Sequence, residues 1–125
     1  MTENSKQQTG NAGLYFVSYS LAKRGWNVLP TSRNAKGPDL IIYSKNAENF
    51  YKLQVKSLSS WNNVSIGNRK NLLMSDILVI CTHVYGDSPE IYLIKTGDVK
   101  INRYGWIPKK DYLRFKDNWK ILEHD

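Results

Sequence analysis

Two stretches of sequence decide the fold: residues 37–44, GPDLIIYS, and residues 50–57, FYKLQVKS. Both are rich in β-branched and aromatic residues, and a five-residue polar segment, KNAEN, separates them. So short a connection predicts two antiparallel strands that form a hairpin. Each strand also carries one charged residue, Asp39 or Lys56, whose place in a largely apolar strand needs an explanation.

Successive side chains of a strand point to opposite faces of its sheet. Leu53 and Val55 therefore share one face, and Gln54 and Lys56 share the other. In a hairpin the start of the first strand lies beside the end of the second. The sequence therefore predicts that Asp39 lies close to Gln54 and Lys56.

A carboxylate, an amide and an ammonium group in one place have a chemical use. The oxygens of Asp39 and Gln54 are hard ligands of the kind that hold Mg²⁺. The ammonium group of Lys56 can polarise an attacking water and stabilise charge on a phosphodiester. The alternative interpretation is an ion pair between Asp39 and Lys56 at the edge of the sheet, with Gln54 solvated.

The rest of the chain predicts an α/β domain. Residues 11–24 have a helical pattern, with Leu14, Val17 and Leu21 on one face and Asn11 placed to cap the start. The remaining predicted elements are a strand at 26–30, a polar stretch at 59–71 with a short strand at 64–66, strands at 77–84 and 90–95, and an aromatic tail that closes the core.

Composition bounds the class of protein. The chain has 125 residues, of which 41% are hydrophobic, and this predicts one domain over residues 11–125 after a disordered tail over residues 1–10. A single cysteine, Cys81, excludes an intramolecular disulfide and favours a reducing compartment. We expect Cys81 to be buried. No apolar run suits a signal peptide or a membrane span, so we expect a cytoplasmic protein.

The net charge is +7, and residues 1–75 carry all of this excess. A basic surface attracts polyanions, so nucleic acid is a natural partner, although a lysine-rich surface is often only solvated. The candidates for contact with DNA lie on either side of the hairpin: Arg33, Lys36, Trp61, Arg69 and Lys70.

Further aromatic residues in the second half leave two interpretations open. Tyr104 and Trp106, which lie near Arg103, could stack on unpaired bases. Aromatic residues in such a position more often cover the edge of a core, and we expect this of Trp106 and Trp119.

The residues Pro38 and Asp39, followed by Gln54, Val55 and Lys56, resemble the motif of the PD-(D/E)XK nuclease superfamily. The resemblance extends over the helix and strand of residues 10–30, the hairpin, and the two later strands. It implies a restriction-endonuclease-like core, a mixed sheet of about five strands flanked by helices. In layout the chain is similar to small Holliday junction resolvases.

The resemblance also implies roles for residues. Asp39 matches the metal-binding aspartate and Lys56 the catalytic lysine, with the backbone carbonyl of Val55 as a further metal ligand. Gln54 stands where the family usually has Asp or Glu. Leu14 stands where close relatives commonly have a glutamate, and its helical face predicts that it packs into the core.

The function that the resemblance implies is a nuclease, dependent on weakly bound Mg²⁺ or Mn²⁺, that cuts DNA, including branched or structured DNA. Resolvase-like relatives are often dimers, which implies a homodimer. Two alternatives stay open. One is a family member that no longer cuts and binds nucleic acid or protein, which Leu14 and Gln54 favour. The other is a structural interaction protein for which the basic charge is incidental.

Overall fold

The computed structural model describes residues 5–32 and 37–122. Within these residues the chain forms one long helix, two short helices and seven strands, with 3₁₀ turns in the second half. Their order is α1 (Lys6–Lys23), β1 (Asn27–Pro30), β2 (Leu40–Tyr43), β3 (Phe50–Ser57), β4 (Val64–Ser65), α2 (Lys70–Leu73), β5 (Ile77–Thr82), β6 (Glu90–Lys95), β7 (Trp106–Ile107) and α3 (Lys109–Tyr112).

The main sheet has five strands in the order β1, β2, β3, β5, β6. Strands β2 and β3 form the predicted antiparallel hairpin, in which Leu40 pairs with Leu53. Strand β5 lies parallel to β3, and the other neighbours are antiparallel. All six residues of β5 are buried, because the strand has neighbours on both sides and side chains packed on both faces. The mixed sheet of five strands agrees with the prediction.

Helix α1 begins at Lys6, five residues before the predicted start at Asn11. Ser5 is its cap: the Ser5 hydroxyl accepts from the backbone N–H of Gln8, and the Gln8 side chain accepts from the N–H of Ser5. This reciprocal pair satisfies two backbone donors at the helix start, so the polar residues up to 10 are helical rather than disordered. Residues 1–4 lie outside the described residues.

Two hydrophobic cores lie on opposite faces of the sheet. One is under α1 and contains Val17, Leu53 and Val79. The other contains Leu78 and Ile80 and is covered by the second half of the chain. The alternation of β5 between the two clusters explains why this strand looks apolar throughout in the sequence.

A second, two-stranded sheet pairs β4 with β7, so that Val64 lies opposite Ile107 and Ser65 opposite Trp106. We call this pair the ribbon. Val64 and Ile107 belong to the second core, so the ribbon packs over the face of the sheet that α1 leaves uncovered. None of the helices in the described part of the chain combines the length and apolar composition that crossing a membrane requires.

Candidate active site

Asp39 lies at the start of β2, between β1 and β3. Its backbone N–H donates to the carbonyl oxygen of Leu53 at 2.8 Å, and its carbonyl oxygen accepts from the N–H of Thr31 at 3.0 Å. The Thr31 hydroxyl also donates to the carbonyl oxygen of Pro38 at 2.6 Å. The backbone at Asp39 is therefore held on both sides, and this fixes the direction of its side chain.

The Asp39 carboxylate contacts the backbone of β3. Its Oδ2 accepts from the N–H of Val55 at 2.8 Å, in the place where a longer β2 would offer a carbonyl oxygen. The N–H and C=O of one residue in an extended strand point to the same side. The Val55 carbonyl is therefore directed toward the edge where Asp39 lies. Asp39 thus bonds to the residues on both sides of Gln54.

The side chain of Gln54 belongs to the opposite face of the sheet from Val55. In the parallel register Gln54 lies beside Leu78 and Lys56 beside Ile80, both members of the second core. The side-chain oxygen Oε1 of Gln54 is buried and has no hydrogen-bond partner among the residues that the structure describes. An unpaired buried acceptor costs about 1–3 kcal/mol, so this oxygen is suited to a ligand that the chain itself does not provide.

Lys56 is half-buried. Among the described residues no carboxylate oxygen lies within 4.0 Å of its ammonium group, because the ion pairs present there all involve Glu90. The alternative interpretation, an ion pair between Asp39 and Lys56 beside a solvated Gln54, does not match these positions. The carboxylate of Asp39 and the ammonium group of Lys56 are not within 4.0 Å of each other, and the amide oxygen is buried.

A cavity of about 210 Å³ opens beside Asp39, between the first half of α1 and the sheet. Leu14 lines this cavity and at the same time packs against the first core, as its helical face predicted. Apart from Asp39, the polar residues of the cavity wall were not predicted from the sequence. One of them, Asn11, shares the helical face of Leu14. The other lining residues are Gln7, Gly10, Thr31, Ser32, Asp39 and Val55.

The candidates for DNA contact occupy different surroundings. The Arg69 guanidinium donates to the carbonyl oxygens of Val99 at 2.7 Å and Thr96 at 3.1 Å, so it holds the segment after β6 in place. Lys70 is exposed at the start of α2. Trp61 packs against the second core, with its Nε1 buried and unpaired. Arg33 and Lys36 lie outside the described residues.

The two tryptophans expected to cover a core edge differ. Trp119 is half-buried against the first core, and the Arg24 guanidinium lies 3.8 Å from the centroid of its ring. The expectation for Trp106 is wrong: 42% of its surface is exposed, and its ring lies beside that of Tyr104 on the ribbon. In a two-stranded ribbon alternate side chains face away from the core, and Ile107 takes the inward position.

A charged cluster at the ends of β5 and β6 was not identified from the sequence. The Lys116 ammonium donates to Glu90 Oε2 at 2.7 Å, and the Tyr92 hydroxyl donates to Glu90 Oε1 at 3.3 Å. His83 Nδ1 lies 3.5 Å from the same carboxylate. The hydrogen bond from Lys116 lowers the pKa of Glu90 below its usual 4.5. Cys81, one residue from this end of β5, is buried as expected, and burial raises the pKa of its thiol to about 12.

The architecture can be compared with proteins of known structure. The chain superimposes on Hjc, a Holliday junction resolvase from the archaeal hyperthermophile Archaeoglobus fulgidus, with a TM-score of 0.68. The match covers 91% of this chain and 100% of the resolvase. The fold is similar to that of a Holliday junction resolvase.

At 9% identity the likeness to the resolvase extends to the fold and not to the sequence. No protein-family model matches the chain, and no curated protein matches it in sequence. The prediction of an α/β, restriction-endonuclease-like core with a mixed sheet is confirmed. The predicted hairpin forms β2 and β3 of this sheet. Asp39 directly precedes β2, and Gln54 and Lys56 lie in β3.

Proposed function

We propose that this protein is a metal-dependent endonuclease that hydrolyses phosphodiester bonds of DNA, with branched or structured DNA as its substrate. The observation that carries the proposal is the Asp39 carboxylate, held by the N–H of Val55 at the mouth of a cavity in a resolvase-like fold. Among residues 5–32 and 37–122 this carboxylate makes one side-chain hydrogen bond, to that N–H. The fold supports action on branched DNA, because the similar protein is a junction resolvase.

The donor set fits a divalent cation in kind. Asp39 offers a carboxylate whose Oδ1 makes no hydrogen bond within the described residues, Gln54 an orphaned amide oxygen, and Val55 a backbone carbonyl. Hard cations such as Mg²⁺ and Mn²⁺ take oxygen ligands, but with a single anionic ligand the affinity should be low. No trio of His, Cys, Asp or Glu side chains gathers anywhere in the described part of the chain, which agrees with weak binding.

Each residue has a separate part in the proposed reaction. Asp39 and Val55 would orient the cation, which when bound would lower the pKa of an attacking water and neutralise charge on the phosphate. Lys56, free of any described acidic partner, would donate to a phosphate oxygen as negative charge develops there. Leu14 on the cavity wall would exclude bulk water without contributing a charge.

The test is cleavage of a synthetic four-way DNA junction in Mg²⁺ and in Mn²⁺, compared with linear duplex. We expect Lys56→Ala to lower the rate by at least about 100-fold, which is typical for the loss of one electrostatic stabiliser. Asp39→Asn should have a similar effect while it keeps an oxygen acceptor for the N–H of Val55.

Lys52→Ala is the matched control, because Lys52 lies on the same strand and the same face as Lys56 but is exposed and nearer the turn of the hairpin, opposite Ile41. It should leave the rate within about twofold of that of the wild-type protein. Cleavage that is equally fast in Lys56→Ala and in Lys52→Ala would contradict the proposal. It would also be contradicted if the wild-type protein left every junction and duplex intact.

A second function is favoured by Leu14 in the cavity and by the neutral Gln54. A family member with so few anionic ligands would bind branched DNA and no longer cut it. Salt-dependent junction binding without detectable binding of Mn²⁺ would support this function. Metal-dependent cleavage that is lost in Asp39→Asn would contradict it.

The proposal also includes a cytoplasmic location and a homodimer. A single buried thiol suits a reducing compartment. A two-fold dimer would present two copies of the site, one for each of two symmetric strands of a junction. Light scattering of the protein with and without a junction measures the oligomeric state directly.

A further inference from the structure

Two aromatic side chains are exposed together at the ribbon, one in β7 and one in the turn that precedes it. Tyr104 is 62% exposed and Trp106 42% exposed, and their ring centroids are 5.5 Å apart. The Arg103 guanidinium lies 4.9 Å from the centroid of the Tyr104 ring. A cluster of this size that remains in solvent needs an explanation other than core packing.

The aromatic pair is held in place by its own backbone. The side-chain oxygen of Asn102 accepts from the N–H of Tyr104 and from that of Trp106, each at 3.0 Å. Between them Gly105 has φ 83°, and a side chain there would press on the backbone of Gly67 at about 3.0 Å. This turn therefore requires glycine, and it holds the backbone of Trp106 in place before any ligand binds.

A cavity of about 280 Å³ lies beside Trp106 and is lined by Asn62, Asn63 and Ser65. The side-chain oxygen of Asn62 accepts from the N–H of Asn63 at 2.8 Å, and that of Asn63 accepts from the N–H of Lys109 at 2.9 Å. Both amide oxygens are thereby used within the chain. The amide NH₂ groups make no hydrogen bond within the described residues, so the cavity offers donors and an aromatic face.

The segment that contains Trp106 is strongly basic. Residues 100–116 contain six Lys or Arg and one acidic residue, Asp111, a net charge of +5. The balance over residues 76–125 is zero, because acidic residues elsewhere in that half cancel this excess. A ligand that suits the cavity therefore has a flat ring, hydrogen-bond acceptors and an attached negative charge.

We propose that the ribbon binds an unpaired nucleobase of DNA, stacked on Trp106, with the amides of Asn62 and Asn63 donating to its carbonyl oxygens. Thymine presents two carbonyl acceptors and no amino group, whereas adenine places an amino donor beside its ring-nitrogen acceptors, so a site that offers only donors prefers thymine to adenine. Basic residues of 100–116 contact the flanking phosphates. The inference rests on the proposed function in one respect, that DNA is the partner.

The test measures binding without metal, so that cleavage plays no part. Fluorescence anisotropy in EDTA compares four labelled duplexes: one fully paired, and three with a single bulge of thymine, adenine or an abasic residue. We expect the wild-type protein to bind the thymine bulge about tenfold more tightly than the abasic bulge, the effect of one stacked base. Trp106→Ala should reduce this preference to about one.

Two matched controls separate the site from general effects. Phe50→Ala removes another exposed aromatic residue, stacked on Tyr43 with centroids 5.4 Å apart, at the turn between β2 and β3. Asn62→Asp keeps an oxygen for the N–H of Asn63 but replaces the NH₂ donors, and it should abolish the preference for thymine over adenine. Asn46→Asp adds the same charge at the turn between β2 and β3 and should preserve that preference.

Equal binding of the thymine and abasic bulges by the wild-type protein would overturn this inference, as would loss of the preference in Phe50→Ala. If cleavage in Mg²⁺ occurs but the bulges are not distinguished, the base-binding site alone fails. If the bulges are distinguished but no junction is cut, the nuclease alone fails and the base-binding site stands.

Discussion

At the scale of single residues, the candidate site contains little negative charge. Asp39 keeps its place and its contact with the Val55 N–H. Gln54 contributes a neutral amide whose oxygen is buried and has no hydrogen-bond partner among the described residues, and Leu14 places an apolar side chain in the cavity wall. The proposed metal site should therefore bind a cation weakly, and added negative charge should strengthen the binding.

Leu14→Glu should tighten the binding of Mn²⁺ by about tenfold or more. The new carboxylate would enter the cavity that Asp39 lines, and a nearby opposite charge contributes at least ~1.4 kcal/mol in a partly solvated site. Isothermal titration measures the affinity, and circular dichroism verifies the fold, since Leu14 also packs on the core.

Tyr15→Glu is the control for this gain of affinity. It adds the same charge one position along the helix, at a side chain that is 66% exposed and is not part of the cavity wall. If both variants bind Mn²⁺ as weakly as the wild-type protein, Leu14 does not occupy the position of a metal ligand.

At the scale of elements, the contact of α1 with β3 aligns the cavity. Gly13 is buried against Ser57, and the Ser57 hydroxyl lies 3.5 Å from the carbonyl oxygen of Gly10. A Cβ at position 13 would overlap the Oγ and Cβ of Ser57. The absence of a side chain at Gly13 therefore brings the helix close enough to place Leu14 and Asn11 opposite Asp39.

Gly13→Ala should lower the free energy of unfolding by about 1–3 kcal/mol, the usual cost of overpacking. Gly10→Ala is its control: nothing lies within 4 Å of a Cβ there, and alanine in a helix interior should raise stability by up to about 1 kcal/mol. Urea denaturation measures both. Equal effects in the two variants would show that α1 does not touch β3 at Gly13.

Much of the architecture could be predicted because its signals are local. The hairpin of β2 and β3 follows from alternation and a short connection, and β5 from its apolar run. The start of α1 was missed because the capping pair of Ser5 and Gln8 stands in a polar stretch without an apolar period. Strand β7 was missed because two residues show no period, and its partner lies some 40 residues earlier.

The candidate site was less predictable than the fold. The position of Asp39 beside Gln54 and Val55 could be predicted, because it follows from the register of two adjacent strands. The burial of the Gln54 oxygen depends on how the second half of the chain packs over the sheet, and no local pattern encodes it. The exposure of Trp106 depends in the same way on the pairing of distant strands.

At the scale of the whole molecule, the two cores bury groups that must stay neutral. Cys81 is in the first core and Tyr112 in the second, and burial raises the pKa of each to about 12. The unfolded chain loses these protons near the ordinary values of 9.0 and 10.0. The folded state therefore holds more protons than the unfolded state between about pH 9 and 12.

Stability should accordingly be complete below pH 9 and fall as the pH rises toward 12. Each group contributes a slope of at most about 1.4 kcal/mol per pH unit. Cys81→Val removes one of the two and should reduce the slope between pH 9 and 10, where the thiol dominates. Urea denaturation at half-unit intervals measures it, and an unchanged slope in this variant would contradict the burial of the thiol.

In the proposed site a single carboxylate, that of Asp39, holds a divalent cation. A crystal structure of the protein in millimolar Mn²⁺, with anomalous data, tests this most directly. We predict an anomalous peak within bonding distance of Asp39, with the Val55 carbonyl and the Gln54 amide oxygen among its ligands, and no such peak in Asp39→Asn. A wild-type crystal with Mn²⁺ bound elsewhere, or with none near Asp39, would contradict the account.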